Sequence, residues 1–182
     1  DGKRLLYSVQ DGGSDWRVLR VLDVATGKPL TDDVKWGKFT GLAWVGNEGF
    51  LYSCFPAPAE GTAFQGRNYD HAVYYHRLGT SQDADQLVFA TPDAREMNHI
   101  AAVTTDGRYA VITSSTGTDA RLQVRVIDLA GKGKDRWKLR TLVPDATNDW
   151  RLVASTGTKL WFVTNKDAPR YKLVVIDLAQ WD

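Results

Sequence analysis

Ser14 stands in Gly12-Gly13-Ser14-Asp15-Trp16, the nearest approach in this chain to the G-x-S-x-G turn that lifts a serine hydroxyl out of a strained strand-to-helix corner. The fifth position is Trp and no helical pattern follows, so the segment reads as a loop. The three histidines, His71, His76 and His99, lack the i, i+4 spacing and the Cys/His clustering that metal sites use. His71 and His76 lie five residues apart around a strand, which points them to opposite faces. They are expected to be surface groups or satisfied hydrogen-bonding groups, and no metal or cofactor is expected. Asp23, Asp128 and Asp177 occupy equivalent places in Val-Leu-Asp-Val, Val-Ile-Asp-Leu and Val-Ile-Asp-Leu, and a carboxylate repeated in this way points to turn or ladder capping rather than catalysis. Neither glycine-rich phosphate loop is present. Cys54 is the one cysteine, which excludes an internal disulfide and leaves a small apolar group expected in the core.

The elements that carry these residues are strands. Short β-branched and aromatic runs separated by Gly, Asp and Asn recur along the chain, and helical periodicity is nearly absent. The 182 residues are 43% hydrophobic, enough for a real core. Lys plus Arg number 23 against 22 Asp plus Glu, so no charge footprint calls for a nucleic-acid or membrane partner. No apolar run approaches the ~20 residues of a membrane helix. The seven Trp and seven Tyr fall mostly in strands, where sheet packing accounts for them.

The runs repeat. Leu42-Ala43-Trp44-Val45, a turn, and Phe50-Leu51-Tyr52-Ser53 recur as 100–104 followed by Tyr109-Ala110-Val111-Ile112, and again as Leu152-Val153-Ala154 followed, past a turn over 155–158, by Leu160-Trp161-Phe162-Val163. Third strands end near Asp23, His76-Arg77-Leu78, Asp128 and Asp177, and fourth strands are expected at Gln86-Leu87-Val88-Phe89 and Trp137-Lys138-Leu139-Arg140. Four-strand units recurring every ~40–60 residues are propeller blades, each too small to bury its own faces. The expectation is an all-β, partial β-propeller of about four consecutive four-stranded antiparallel blades from a seven-bladed parent, with units near 1–36, 37–92, 98–145 and 149–182. Asp1-Gly2-Lys3-Arg4 runs from a turn straight into a strand and Gln180-Trp181-Asp182 follows another, so the chain reads as a segment of a longer protein. The first unit then lacks its opening strand and the last its closing one, leaving blade edges through which the segment is expected to self-associate.

Particular phrases narrow the choice. Tyr7-Ser8 with Gly13-Ser14-Asp15-Trp16, Lys38-Phe39-Thr40-Gly41-Leu42-Ala43-Trp44, Tyr74-Tyr75-His76-Arg77-Leu78-Gly79-Thr80, Asp106-Gly107-Arg108-Tyr109 and Thr164-Asn165-Lys166 resemble, in order and spacing, the propeller of prolyl oligopeptidases. The resemblance covers essentially the whole chain. It implies the non-catalytic propeller of a serine peptidase whose Ser-Asp-His triad sits on a separate α/β-hydrolase domain, and which admits short proline-containing peptides as partners. It also implies pocket-lining residues: Phe39 on the propeller side, Ser115 where the family carries a substrate-binding arginine, and Thr118 in the same loop. A further pocket position falls on Met97 or Asn98. Serine donates one hydrogen bond and lacks the guanidinium's charged fork, so Ser115 departs from the family in chemistry as well as in size. Ala120 stands where the family usually has proline. The alternatives are an oligopeptidase B-like propeller, which shares the His-x-x-Gly-Thr phrase, and a stand-alone scaffold of the TolB-like or WD40-like kind that binds protein partners.

Overall fold

The computed structural model describes residues 1–10, 12–62 and 68–180. The expected final residues 181–182 of the last unit lie outside the described residues. Fourteen strands follow one another among the described residues: β1 (Arg4–Gln10), β2 (Arg17–Asp23), β3 (Lys28–Gly37), β4 (Ala43–Val45), β5 (Gly49–Cys54), β6 (Ala72–Arg77), β7 (Gln86–Phe89), β8 (Met97–Val103), β9 (Tyr109–Thr116), β10 (Gln123–Asp128), β11 (Leu139–Val143), β12 (Trp150–Thr156), β13 (Lys159–Thr164) and β14 (Lys172–Asp177). Their only helical interruptions, among the described residues, are 3-10 turns at Gln82–Ala84 and Gly133–Asp135. Every registered pairing is antiparallel.

The chain divides into two compact units, Asp1–Ala101 and Ala102–Asp182. In the first, the sheet runs β1-β2-β3-β5-β6-β7, with β4 paired to β5. Period-2 alternation turns Leu19 and Val21 of β2 inward, while β5, buried along its whole length, is the continuous apolar run of a central strand. Leu19, Val21 and Val34 meet Phe50, Tyr52 and Cys54 in one apolar cluster, so the core lies between consecutive three- and four-stranded runs. Those runs are also joined through the backbone, by a single bridge between Gly37 of β3 and Cys54 of β5. In the second unit the three-stranded sheet β12-β13-β14 shares a core with β9, β10 and β11, built on Val111, Val124, Val126, Leu142, Leu160, Phe162 and Ile176.

Two expected boundaries are corrected. The fourth strand placed at 137–140 starts at Leu139 instead, because the 3-10 turn at Gly133–Asp135 is followed by a further turn bond from Lys138 N–H to the Asp135 carbonyl, which holds Trp137 and Lys138 out of the ladder. The turn placed over 155–158 is shorter. Ser155 and Thr156 pair with Leu160 and Lys159, and a register shift between Leu152 and Ala154 absorbs the extra residue at exposed Val153.

The recurring aspartates cap turns and ladders, as expected. Asp23 accepts from the Thr26 N–H and hydroxyl, both at 2.8 Å. Asp128 accepts from the Ala130 N–H at 2.9 Å, and Asp177 from the Ala179 N–H at 3.1 Å and the Thr158 hydroxyl at 2.6 Å. These bonds hold all three carboxyls below their usual range; for Asp128 the larger cause is Arg108, whose guanidinium donates to both of its oxygens.

Candidate functional site

Phe39 sits in the connection 38–42 between β3 and β4, with its backbone in the left-handed region at φ 51°. A bulky residue takes that conformation only where its surroundings hold it, and Trp36 (φ 64°) and Asp70 (φ 64°) do the same close by in the fold. The Phe39 ring is 52% exposed, unusual for an aromatic of this size in a small core. It is held out to solvent by specific contacts. Phe55 meets it edge-on at 6.4 Å between ring centroids, and the Lys38 ammonium lies 5.4 Å from its centroid and 5.1 Å from that of Trp16. Asp15 is 3.5 Å from the same ammonium. The connection is fastened at both ends. The Trp36 carbonyl accepts from Phe55 N–H at 3.4 Å, and the Thr40 hydroxyl accepts from Ser53 N–H and donates to the Gly41 carbonyl. Gly41 is required by packing, since a Cβ there would lie 2.6 Å from the Ala101 carbonyl oxygen of β8.

Ser115 is half-buried near the end of β9, and Thr118 is exposed in the turn between β9 and β10. They share one hairpin end in the second unit. Met97 is buried at the start of β8 and Asn98, beside it, is half-buried. On the neighbouring strand Arg125 donates to Gln123 Oε1 at 3.0 Å and lies 3.5 Å from Ser114 Oγ, and burial lowers its pKa. The Gly12-Gly13-Ser14-Asp15-Trp16 segment is a loop; Ser14 is buried, and its hydroxyl accepts from Trp16 N–H at 3.1 Å. No group of three or more His, Cys, Asp or Glu is placed to hold a metal among the described residues.

All three histidines are buried. His76, 1% exposed, lies between two carboxylates: Nδ1 is 2.7 Å from Asp85 and Nε2 is 3.0 Å from Asp32. Burial pulls its pKa down, but the bonds to Asp85 and Asp32 outweigh it and the net shift is upward. Asp32 also accepts from Gly79 N–H at 2.6 Å, and Asp85 from the Tyr52 hydroxyl at 2.7 Å. This buried network ties β3 to β6 and to the turn before β7. Sequence reasoning singled out His76 but not its partners, whose separations of 44 and 9 residues carry no local signal. Cys54 is buried as expected, and burial pushes its thiol up to about 12.

Antiparallel runs of three and four short strands, with cores lying between successive runs, define a segment of a β-propeller. A family model described as "Prolyl oligopeptidase, N-terminal beta-propeller domain" matches residues 1–182, and the chain belongs to that family. It is 34% identical over 174 residues to the prolyl endopeptidase of Elizabethkingia meningoseptica, covering 95% of this chain and 24% of that protein. It is 31% identical over 195 residues to a dual function macrocyclase-peptidase of Galerina marginata, covering 99% of this chain and 26% of that one. A solved structure from a study of two prolyl endopeptidases superimposes with a TM-score of 0.88 at 47% identity, over 98% of this chain and 25% of its own. The chain therefore spans about a quarter of the length of the relatives it matches. Oligopeptidase B from Leishmania major, at 16% identity and a TM-score of 0.75 over 98% of this chain and 23% of its own, shares the fold. Neither the oligopeptidase B-like reading nor the stand-alone scaffold is favoured by these likenesses.

Proposed function

We propose that this chain is the non-catalytic propeller segment of a serine peptidase that acts on short proline-containing peptides, and that the propeller screens substrates by size before they reach a catalytic domain carried elsewhere in the full-length protein. Phe39, Ser115 and Thr118 are its contributions to the substrate pocket. The observation that carries the reading is Phe39: a large aromatic side chain held half in solvent by a left-handed backbone, Phe55 and Lys38, in the connection where the resemblance puts a pocket phenylalanine. A side chain so presented offers apolar contact to a ligand without touching reacting atoms. Its removal therefore acts on substrate binding rather than on chemistry. In the full-length gene product, Phe39→Ala is expected to raise KM for a proline-containing peptide about fivefold, the equivalent of ~1 kcal/mol of apolar contact, with kcat little changed. Unchanged kinetics together with a lower melting temperature would make Phe39 a packing residue and remove the pocket assignment. The screening role is tested by offering one cleavable sequence as a free peptide and within a folded protein; equal cleavage of both would refute it.

A further inference from the structure

His71 is a buried side chain whose two nitrogens are both engaged. Nε2 is 2.9 Å from the Lys38 carbonyl oxygen, which only accepts, so Nε2 carries the proton. Nδ1 accepts from the backbone N–H of His99 at 2.8 Å. The ring is thus a neutral imidazole bridging the 38–42 connection to strand β8, and burial keeps it neutral by pushing its pKa down to about 4. Its ring packs against Phe55 with centroids 4.4 Å apart and planes tilted by 39°, and Phe55 is the ring that meets Phe39 edge-on. His71 therefore holds Phe39 in two ways, through the backbone of the preceding residue and through the aromatic ring behind it. On the other side the His99 ring is 6.1 Å away and Nε2 of His99 donates to the Thr91 hydroxyl, which itself donates to the Ala94 carbonyl. The bridge therefore rests on a fixed base. Apolar burial alone would be served by Phe or Leu, and only a group that donates at one end and accepts at the other fits between a carbonyl oxygen and an N–H. We infer that His71 is a positioning residue for substrate binding, which fixes the 38–42 connection so that Phe39 is presented to the peptide. This rests on the reading of Phe39 as a pocket residue.

The test is a variant series in the full-length gene product, read in two ways. His71→Phe keeps an aromatic ring against Phe55 and removes both hydrogen bonds. His71→Gln restores a donor and an acceptor at similar reach, and His71→Asn, one bond shorter, does not span both partners and stands in for the phenylalanine variant if that one fails to fold. The first readout is kinetic. His71→Phe is expected to raise KM by about the same fivefold as Phe39→Ala. The double variant should add nothing further, kcat should hold, and His71→Gln should return KM to within about twofold of the parent. If Phe39→Ala raises KM and His71→Phe does not, positioning is overturned while the pocket reading stands. The second readout is independent of activity: 4-fluorophenylalanine at position 39, observed by fluorine NMR. Its resonance is expected to be displaced from the free amino acid in the parent and in His71→Gln, and to collapse toward the free value in His71→Phe or His71→Asn. A displaced resonance that survives both of those variants would overturn the inference whatever the kinetics. If the resonance collapses while Phe39→Ala leaves KM unchanged, His71 positions the ring and the pocket reading is what has failed; the role in substrate binding then falls with it.

Discussion

Replacing His76 with Leu removes the shared partner of two interior carboxylates. The side chains of His76, Asp32 and Asp85 are 1–2% exposed, so water does not take the place of the lost bonds. Gly79 N–H would still serve Asp32 and the Tyr52 hydroxyl would still serve Asp85, but no positive charge would remain between them. Breaking a buried charge pair by removing one member costs about 3–5 kcal/mol, because the remaining charge stays desolvated and uncompensated. In a chain of 182 residues each kcal/mol moves the melting temperature by about 2–4 °C. His76→Leu is therefore expected to melt about 6–20 °C below the parent at pH 6, followed by near-ultraviolet circular dichroism. The pH dependence gives a second arm. The pKa of His76 is raised in the folded chain, so its contribution is complete below the unfolded value near 6.5 and is lost as pH climbs through the folded value. The parent should lose stability over that alkaline interval, and His76→Leu should not show this loss. A variant melting within 2 °C of the parent, or one with the same alkaline loss, would refute the account of the network as a charge-paired fastening.

His71 titrates in the opposite sense. Its folded value of about 4 lies below the unfolded value, so its contribution is present above pH 6.5 and is lost as pH falls toward 4, by up to about 3 kcal/mol; His71→Gln should flatten that stretch of the acid denaturation curve. The purified chain is expected to hydrolyse no proline-containing chromogenic peptide, and turnover abolished by a serine-directed inhibitor would contradict this. Leu5 and Val9 of β1 and Leu173 and Val175 of β14 are exposed, so light scattering over a concentration series should show self-association, and a monomer throughout would count against open blade edges.

The features legible in the sequence were the local ones. Asp23 reaches Thr26 three residues on, and Asp128 and Asp177 reach backbone two residues on, so each cap is contained in its own turn phrase and repeats with it. The strand pattern was legible for the same reason, since alternation is a property of neighbours. What was not legible depends on closure of the chain over long separations. Nothing near His76 marks Asp32, and nothing near His71 marks the Lys38 carbonyl, which is backbone and has no residue signature at all. The bulge at Val153 was hidden because an extra residue in a strand leaves the alternation on either side intact. Phe39 was singled out by resemblance alone. Its left-handed backbone, which makes it stand out in the structure, has no trace in the residue type.

The location of the apolar clusters decides how this molecule comes apart. Leu19, Val21 and Val34 belong to one run of strands and Phe50, Tyr52 and Cys54 to the next, so this interior belongs to neither run alone. Unfolding of either leaves the other with a bare face of aromatic and branched side chains, and their amide hydrogens are tied to a single opening event. A break in the chain between β3 and β4 therefore falls across a shared interior rather than between two independent ones.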